Sequence, residues 1–133
     1  MYKFFKILVL IILSSLCQIQ LSFSSEEKVK IGLLVPLTGD DKEIGHQIIK
    51  STRIALKDIN SKQIEIFPKD TNSNPNTTVR SAIELKNMGV KIIIGPVFHK
   101  SSAYLNEIQN IVFISLTNKT LDLPKNVISA GVN

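Results

Sequence analysis

Small polar side chains gather at three places where an apolar run has just ended: Thr38 and Asp40, then His99, Lys100, Ser101 and Ser102, then Thr117 and Asn118. Hydroxyls, an amide, an imidazole and an ammonium suit hydrogen-bonded recognition of a small molecule better than bond breaking. Backbone N–H groups left free where a helix begins, with the positive end of its dipole, would favour a carboxylate or other anion. The ligand-lining residues expected on this basis are Thr38, His99, Lys100, Ser101, Thr117 and Asn118. The plainer alternative is that Thr38, Asp40 and Ser101 only cap helices.

Catalytic patterns do not assemble. Gly32 lies inside an apolar run, and Gly39 lacks the later glycines of a dinucleotide or P-loop fingerprint. His46 and His99 have neither cysteine partners nor a His-Glu-x-x-His spacing, so no metal site and no cofactor are expected. Asp40, Asp41 and Asp70 resemble the acid pocket of a phosphorylatable receiver domain, but Asp70 follows the second strand rather than the third. No residue is expected to be catalytic, and the chain is read as a non-enzyme.

The elements that must hold these groups follow from periodicity. Val29–Pro36 and Lys91–Gly95 are near-continuous Ile/Val/Leu runs, the pattern of strands buried on both faces of a parallel sheet. Gln63–Phe67 alternates, which suits a wetter strand near an edge. Ile111–Leu116 and Val127–Gly131 are further strands. A helix is predicted over Lys42–Asn60, with Ile44, Ile48, Ala55 and Ile59 facing the sheet and Asp40 and Asp41 at its start. A second begins at Asn74-Pro75, as N-cap and first helical residue, with Val79, Ala82 and Ile83 as its apolar face and Gly89 past its end. A third, short helix is predicted from Ser101 to Asn110, with Tyr104 and Ile108 on one side. The result is an α/β fold: an open parallel sheet of order 2-1-3-4-5, helices on both faces, right-handed crossovers and a crevice at the carboxyl ends of the strands.

Ahead of this domain, Lys3 and Lys6, the apolar stretch Phe4–Leu16 and Ser22-Phe23-Ser24 form a secretory signal over residues 1–24, with cleavage after Ser24. The apolar run falls short of the roughly 20 residues that cross a bilayer; an uncleaved anchor is the alternative. Leu16 is too bulky to precede a lipidated cysteine, which disfavours a lipid anchor at Cys17. Residues 25–133 form one domain and contain no cysteine, so disulfides cannot contribute to its stability. Without Lys3 and Lys6, 16 basic residues become 14 against 11 acidic, a net charge of +3. These charges are scattered and almost free of aromatics, which argues against nucleic acid as a partner. The end at Asn133, just after a strand, reads as a truncation.

Four segments fall in an order that resembles a known family: Val29-Lys-Ile-Gly-Leu-Leu-Val-Pro-Leu-Thr-Gly39, Asp70-Thr71, Gly89-Val-Lys-Ile-Ile-Ile-Gly-Pro96 and Val112-Phe-Ile-Ser115. Together they are similar to the first lobe of type I periplasmic binding proteins, the leucine/isoleucine/valine-binding class. The resemblance implies two α/β lobes closing on a ligand, with residues 25–133 supplying an incomplete first lobe, in the periplasm. In amino-acid receptors of this class the loop after Gly-Pro presents a serine to the ligand carboxylate. Here His99 and Lys100 occupy that place, Ser101 falls slightly late, and Ser115-Leu-Thr-Asn118 lacks the family's Ala-Thr arrangement. Leu33–Gly39 with Gly45, Pro68-Lys-Asp-Thr71 and Gly95-Pro-Val-Phe98 look more like the penicillin-binding protein activators. That branch implies a peptidoglycan synthase as partner. The transport branch implies an ABC permease and a small ligand such as a branched-chain or related amino acid.

Overall fold

The apolar run after Lys28 forms an inner strand of the sheet, between its edge strand and its middle one. A computed structural model describes residues 1–6 and 27–131 of the chain. Its elements are β1 (Val29–Val35), α1 (Lys42–Ile59), β2 (Ile64–Asp70), α2 (Pro75–Asn87), β3 (Ile92–Ile94), β4 (Val112–Ser115) and β5 (Val127–Ser129). Two single 3-10 turns, His99–Ser102 and Leu105–Glu107, link β3 to β4. All strand pairs are parallel and the order is β2-β1-β3-β4-β5, the order read from the sequence. The secretory-signal reading falls outside the described residues beyond Lys6, as do Cys17 and Ser24.

This order has a consequence for the two faces. The step from β1 to β2 goes one way across the sheet; the steps to β3, β4 and β5 go the other way. Right-handed crossovers then put α1 on one face and every later connection on the opposite face. Side-chain alternation agrees. Leu34, Ile93, Phe113 and Val127 join Ala82 and Leu85 of α2, with Val90, Leu105, Ile108 and Ile111, in one buried core. Burial of such side chains at roughly 1.5–3 kcal/mol each is the main force holding the sheet together. On the α1 face, Leu33, Ile64 and Ile66 line a shallow cavity together with Ile49 and Leu56 of the helix. Beyond α1, that face leaves Ile92, Val112 and Ile128 38%, 44% and 58% exposed.

Local details depart from the periodicity reading in four places. In α1 the packed side runs through Gly45, Ile48, Ile49, Thr52 and Leu56, while Ile44, Ala55 and Ile59 are exposed. The cause is Gly45: a Cβ there would stand 1.7 Å from the Pro36 carbonyl oxygen, so the helix enters by its bare backbone and is turned by one position. In α2, Asn74 caps as expected, accepting from the Asn76 and Thr77 amides, but Thr78, Ser81, Ala82 and Leu85 are buried and Ile83 is exposed. β2 continues past Phe67 to Asp70, because Pro68 sits on an edge strand where its missing N–H costs no ladder bond. The predicted third helix is replaced by the two 3-10 turns, which bury Leu105 and Ile108 and leave Tyr104 exposed.

Candidate functional site

Parallel strands end on one edge, so the loops after β1, β2, β3 and β4 form a common rim. Its two halves are built differently.

In the first half, Asp70 is the organising group. Its Oδ1 accepts from the backbone amides of Leu37 (2.8 Å), Thr38 (3.3 Å) and Asn72 (2.8 Å), and its Oδ2 accepts from Thr38 Oγ1 (2.5 Å). The backbone carbonyl of Asp70 accepts from Ser81 Oγ at 2.7 Å, tying the same residue to α2. Burial works to raise the Asp70 pKa, but the Thr38 hydroxyl and the Leu37, Asn72 and Thr38 amides outweigh it. The carboxyl is held below its ordinary value of 3.8. The charge this carboxylate carries is therefore matched by donors fixed on the β1 loop.

In the second half, the backbone stitches β3 to β4. Gly95 has φ +107°, and a Cβ there would stand 2.2 Å from the Leu34 carbonyl oxygen, so only glycine permits this approach. The Gly95 amide donates to the Ile114 carbonyl (2.8 Å), and the Pro96 carbonyl accepts from the Leu116 amide and from Ser115 Oγ, both at 3.0 Å. The turn that follows places Ser101 and Ser102 each 1% exposed. Neither hydroxyl, nor the buried Nδ1 of His99, has a hydrogen-bond partner among the described residues.

The residues expected to line a ligand thus separate. Thr38, Lys100 and Asn118 are exposed on the rim, and His99 is half-buried. Ser101 and Thr117 are buried. Thr117 is committed to its own loop: its Oγ1 accepts from the Lys119 amide (3.2 Å), and its carbonyl accepts from Ser129 Oγ (2.6 Å) and the Gly131 amide (3.2 Å). Asp70 was expected as part of a family segment, or of an acid pocket, and not as a ligand-lining residue. Its carboxylate instead binds backbone, and no group of three metal-ligating side chains occurs among the described residues. Only the local part of this role was signalled, by Asp70-Thr-Asn72, since an aspartate commonly accepts from the amide two residues on.

Residues 28–131 match the family model for the periplasmic binding protein, so the chain belongs to that family, a family of binding proteins rather than enzymes. Its sheet is part of the first lobe of the type I fold. A solute-binding protein of an ABC transporter from Rhodopseudomonas palustris, solved with 3,4-dihydroxybenzoic acid, is similar at 27% identity with a TM-score of 0.63. The match covers 70% of this chain and 28% of that one. An ABC-type branched-chain amino acid transporter protein from the same species superimposes with a TM-score of 0.70 at 17% identity, over 80% and 33% of the two chains. The C-domain of LpoA from Haemophilus influenzae, a regulator of PBP1A, is similar at 25% identity with a TM-score of 0.53, over 68% and 28%. This chain therefore spans about a third or less of the length of each. No curated protein sequence matches it.

Proposed function

We propose that this chain belongs to an exported, periplasmic regulator of peptidoglycan synthesis, which acts by contacting a penicillin-binding protein and needs no transported ligand. The observation that carries the reading is the β3 turn. At the place where amino-acid receptors of this fold offer a serine hydroxyl, Lys100 is exposed and Ser101 is sealed inside at 1% exposure. A β3 turn that withholds its serine hydroxyls and offers an exposed cation lacks the hydroxyl contact those receptors make to a carboxylate, yet suits a charged protein surface. The 25% identity to the LpoA C-domain supports the same reading. A second reading, the solute-binding component of an ABC importer with a permease as partner, draws on the closer superposition with the branched-chain amino acid protein.

The test is to follow glycan polymerisation by a purified synthase of the same cells as the protein is added. A rising rate, with no change in the protein's melting temperature on adding amino acids, is the expected result. An unchanged rate together with an amino-acid-dependent rise in melting temperature would replace this reading with the second.

A further inference from the structure

The hydroxyl of Thr38 has one proton to give, and the geometry shows where it goes. Thr38 Oγ1 lies 2.5 Å from Asp70 Oδ2, a charge-assisted bond, and 3.3 Å from Asn72 Oδ1, too long to compete. Asp70 offers no proton in return: the Leu37, Thr38 and Asn72 amides that donate to its other oxygen favour the ionised carboxylate, which only accepts. The hydroxyl therefore keeps only its lone pairs for anything that reaches the rim. Thr38 is itself exposed there. The backbone leaves it little freedom: its own amide and that of Leu37 are held by the same carboxylate.

We propose that Asp70 is the positioning residue of the β1 loop, and that by taking the Thr38 proton it makes Thr38 an acceptor, selecting an ammonium, amine or hydroxyl group on whatever binds there. The opposite half of the rim has the reverse polarity, since Lys100 can only donate. A molecule spanning the rim would place its donor group at β1 and its acceptor group at β3. This holds for a small ligand and for a side chain of a protein partner, so it rests only on the rim being a binding surface. It does not depend on which functional reading is right.

The experiment uses the full chain labelled with 15N, titrated in parallel with isobutylamine and with isobutyrate at one pH and ionic strength. Isobutylamine is expected to move the Thr38 amide signal and isobutyrate to leave it in place. Thr38→Ser should keep that response. Thr38→Val retains the backbone bonds to Asp70 and should weaken binding about tenfold, the order of one lost hydrogen bond to a charged donor. Asp70→Asn lets the amide donate to Thr38, turns the hydroxyl proton outward, and should shift the preference toward isobutyrate. An unchanged isobutylamine response in Thr38→Val would overturn the proposal, because the Asp70 charge alone would then explain it. So would an equal response of Thr38 to isobutyrate in the natural chain. Shifts confined to Lys100–Ser102 would overturn the polarity while leaving the rim a binding surface; silence at all the loops would remove both.

Discussion

The two halves of the strand-end rim solve the same problem in opposite ways. After β1 and β2, an exposed loop is immobilised by one carboxylate that accepts from three amides and a hydroxyl. After β3, a turn buries its two serines, their hydroxyls unpartnered among the described residues. The first half uses polar bonds to hold a wet loop, so its order depends on charge and pH. The second half uses packing against α2 and the core, so its order depends on shape. A binding surface made from both joins a rigid polar loop to a turn that buries its serine hydroxyls and exposes only Lys100 of its polar side chains.

The largest effect that tests this contrast is expected at Gly45, which seats α1 against Pro36 at the root of the β1 loop. Gly45→Ala places a methyl against a backbone oxygen that cannot swing aside. It should cost about 3 kcal/mol in urea unfolding, the upper range for overpacking. A loss near zero would mean that α1 rides more loosely than the contact indicates.

Next comes Asp70→Asn, expected to cost about 1–2 kcal/mol at neutral pH by leaving amides of Leu37, Thr38 or Asn72 without their charged acceptor. The sign with pH is fixed by linkage. The folded-state pKa of Asp70 lies below its ordinary value of 3.8, so its contribution is complete above that value. It is lost as pH falls through the lower, folded-state pKa. The stabilities of natural and Asp70→Asn chains should therefore converge in acid, which unfolding at neutral and at acid pH would measure. A difference that persists unchanged in acid would show that Asp70 acts by shape rather than by charge.

The β3 half should respond in the opposite sense. Ser101→Ala and Ser102→Ala remove buried hydroxyls that have no partner among the described residues, so each should change stability by no more than about 0.5 kcal/mol, in either direction. A loss of 2 kcal/mol or so, the cost of a broken buried hydrogen bond, would reveal a bond to these hydroxyls and erase the contrast between the halves. The smallest effect belongs to the Lys69–Glu84 pair, 2.6 Å apart on the surface of β2 and α2. The Lys69 hydrogen bond and charge lower the Glu84 pKa, yet the pair is well solvated. Lys69→Met should leave the melting temperature unchanged at moderate salt.

What the sequence disclosed and what it hid divide along the same physical line. Strand order was legible because continuous apolar runs at Val29–Pro36 and Lys91–Gly95 demand burial on both faces, and handedness leaves few topologies. Asn74-Pro75 was legible because a cap and a first-turn proline act locally. The face of α1 was not, since Ile44, Ile48, Ala55 and Ile59 repeat correctly for a helix and only the long-range contact of Gly45 with Pro36 sets its rotation. Over Ser101–Asn110 two 3-10 turns stand in place of the expected helix, and there too a distant residue takes part: Asn126 Nδ2 donates to the Leu105 and Ile108 carbonyls. At the rim, residue types pointed to Thr38, Lys100 and Asn118, which are exposed, and equally to Ser101 and Thr117, which are buried. Composition cannot tell a hydroxyl that faces water from one that faces the core. Asp70 organises the β1 loop across 33 residues of chain, a separation that no local pattern encodes.

As the contact surface of the proposed regulator, this rim would meet its protein partner through the β3 and β4 loops, with the β1 loop already fixed. Backbone amide hydrogen exchange across the rim tests this most directly, with the protein alone, with the purified synthase, and with L-leucine at the low concentrations a transport receptor captures. Protection of residues 97–102 and 116–119 by the synthase, with the Leu37 and Thr38 amides slow throughout and no response to L-leucine, is the predicted result. Protection of those loops by L-leucine, with no change on adding the synthase, would contradict it.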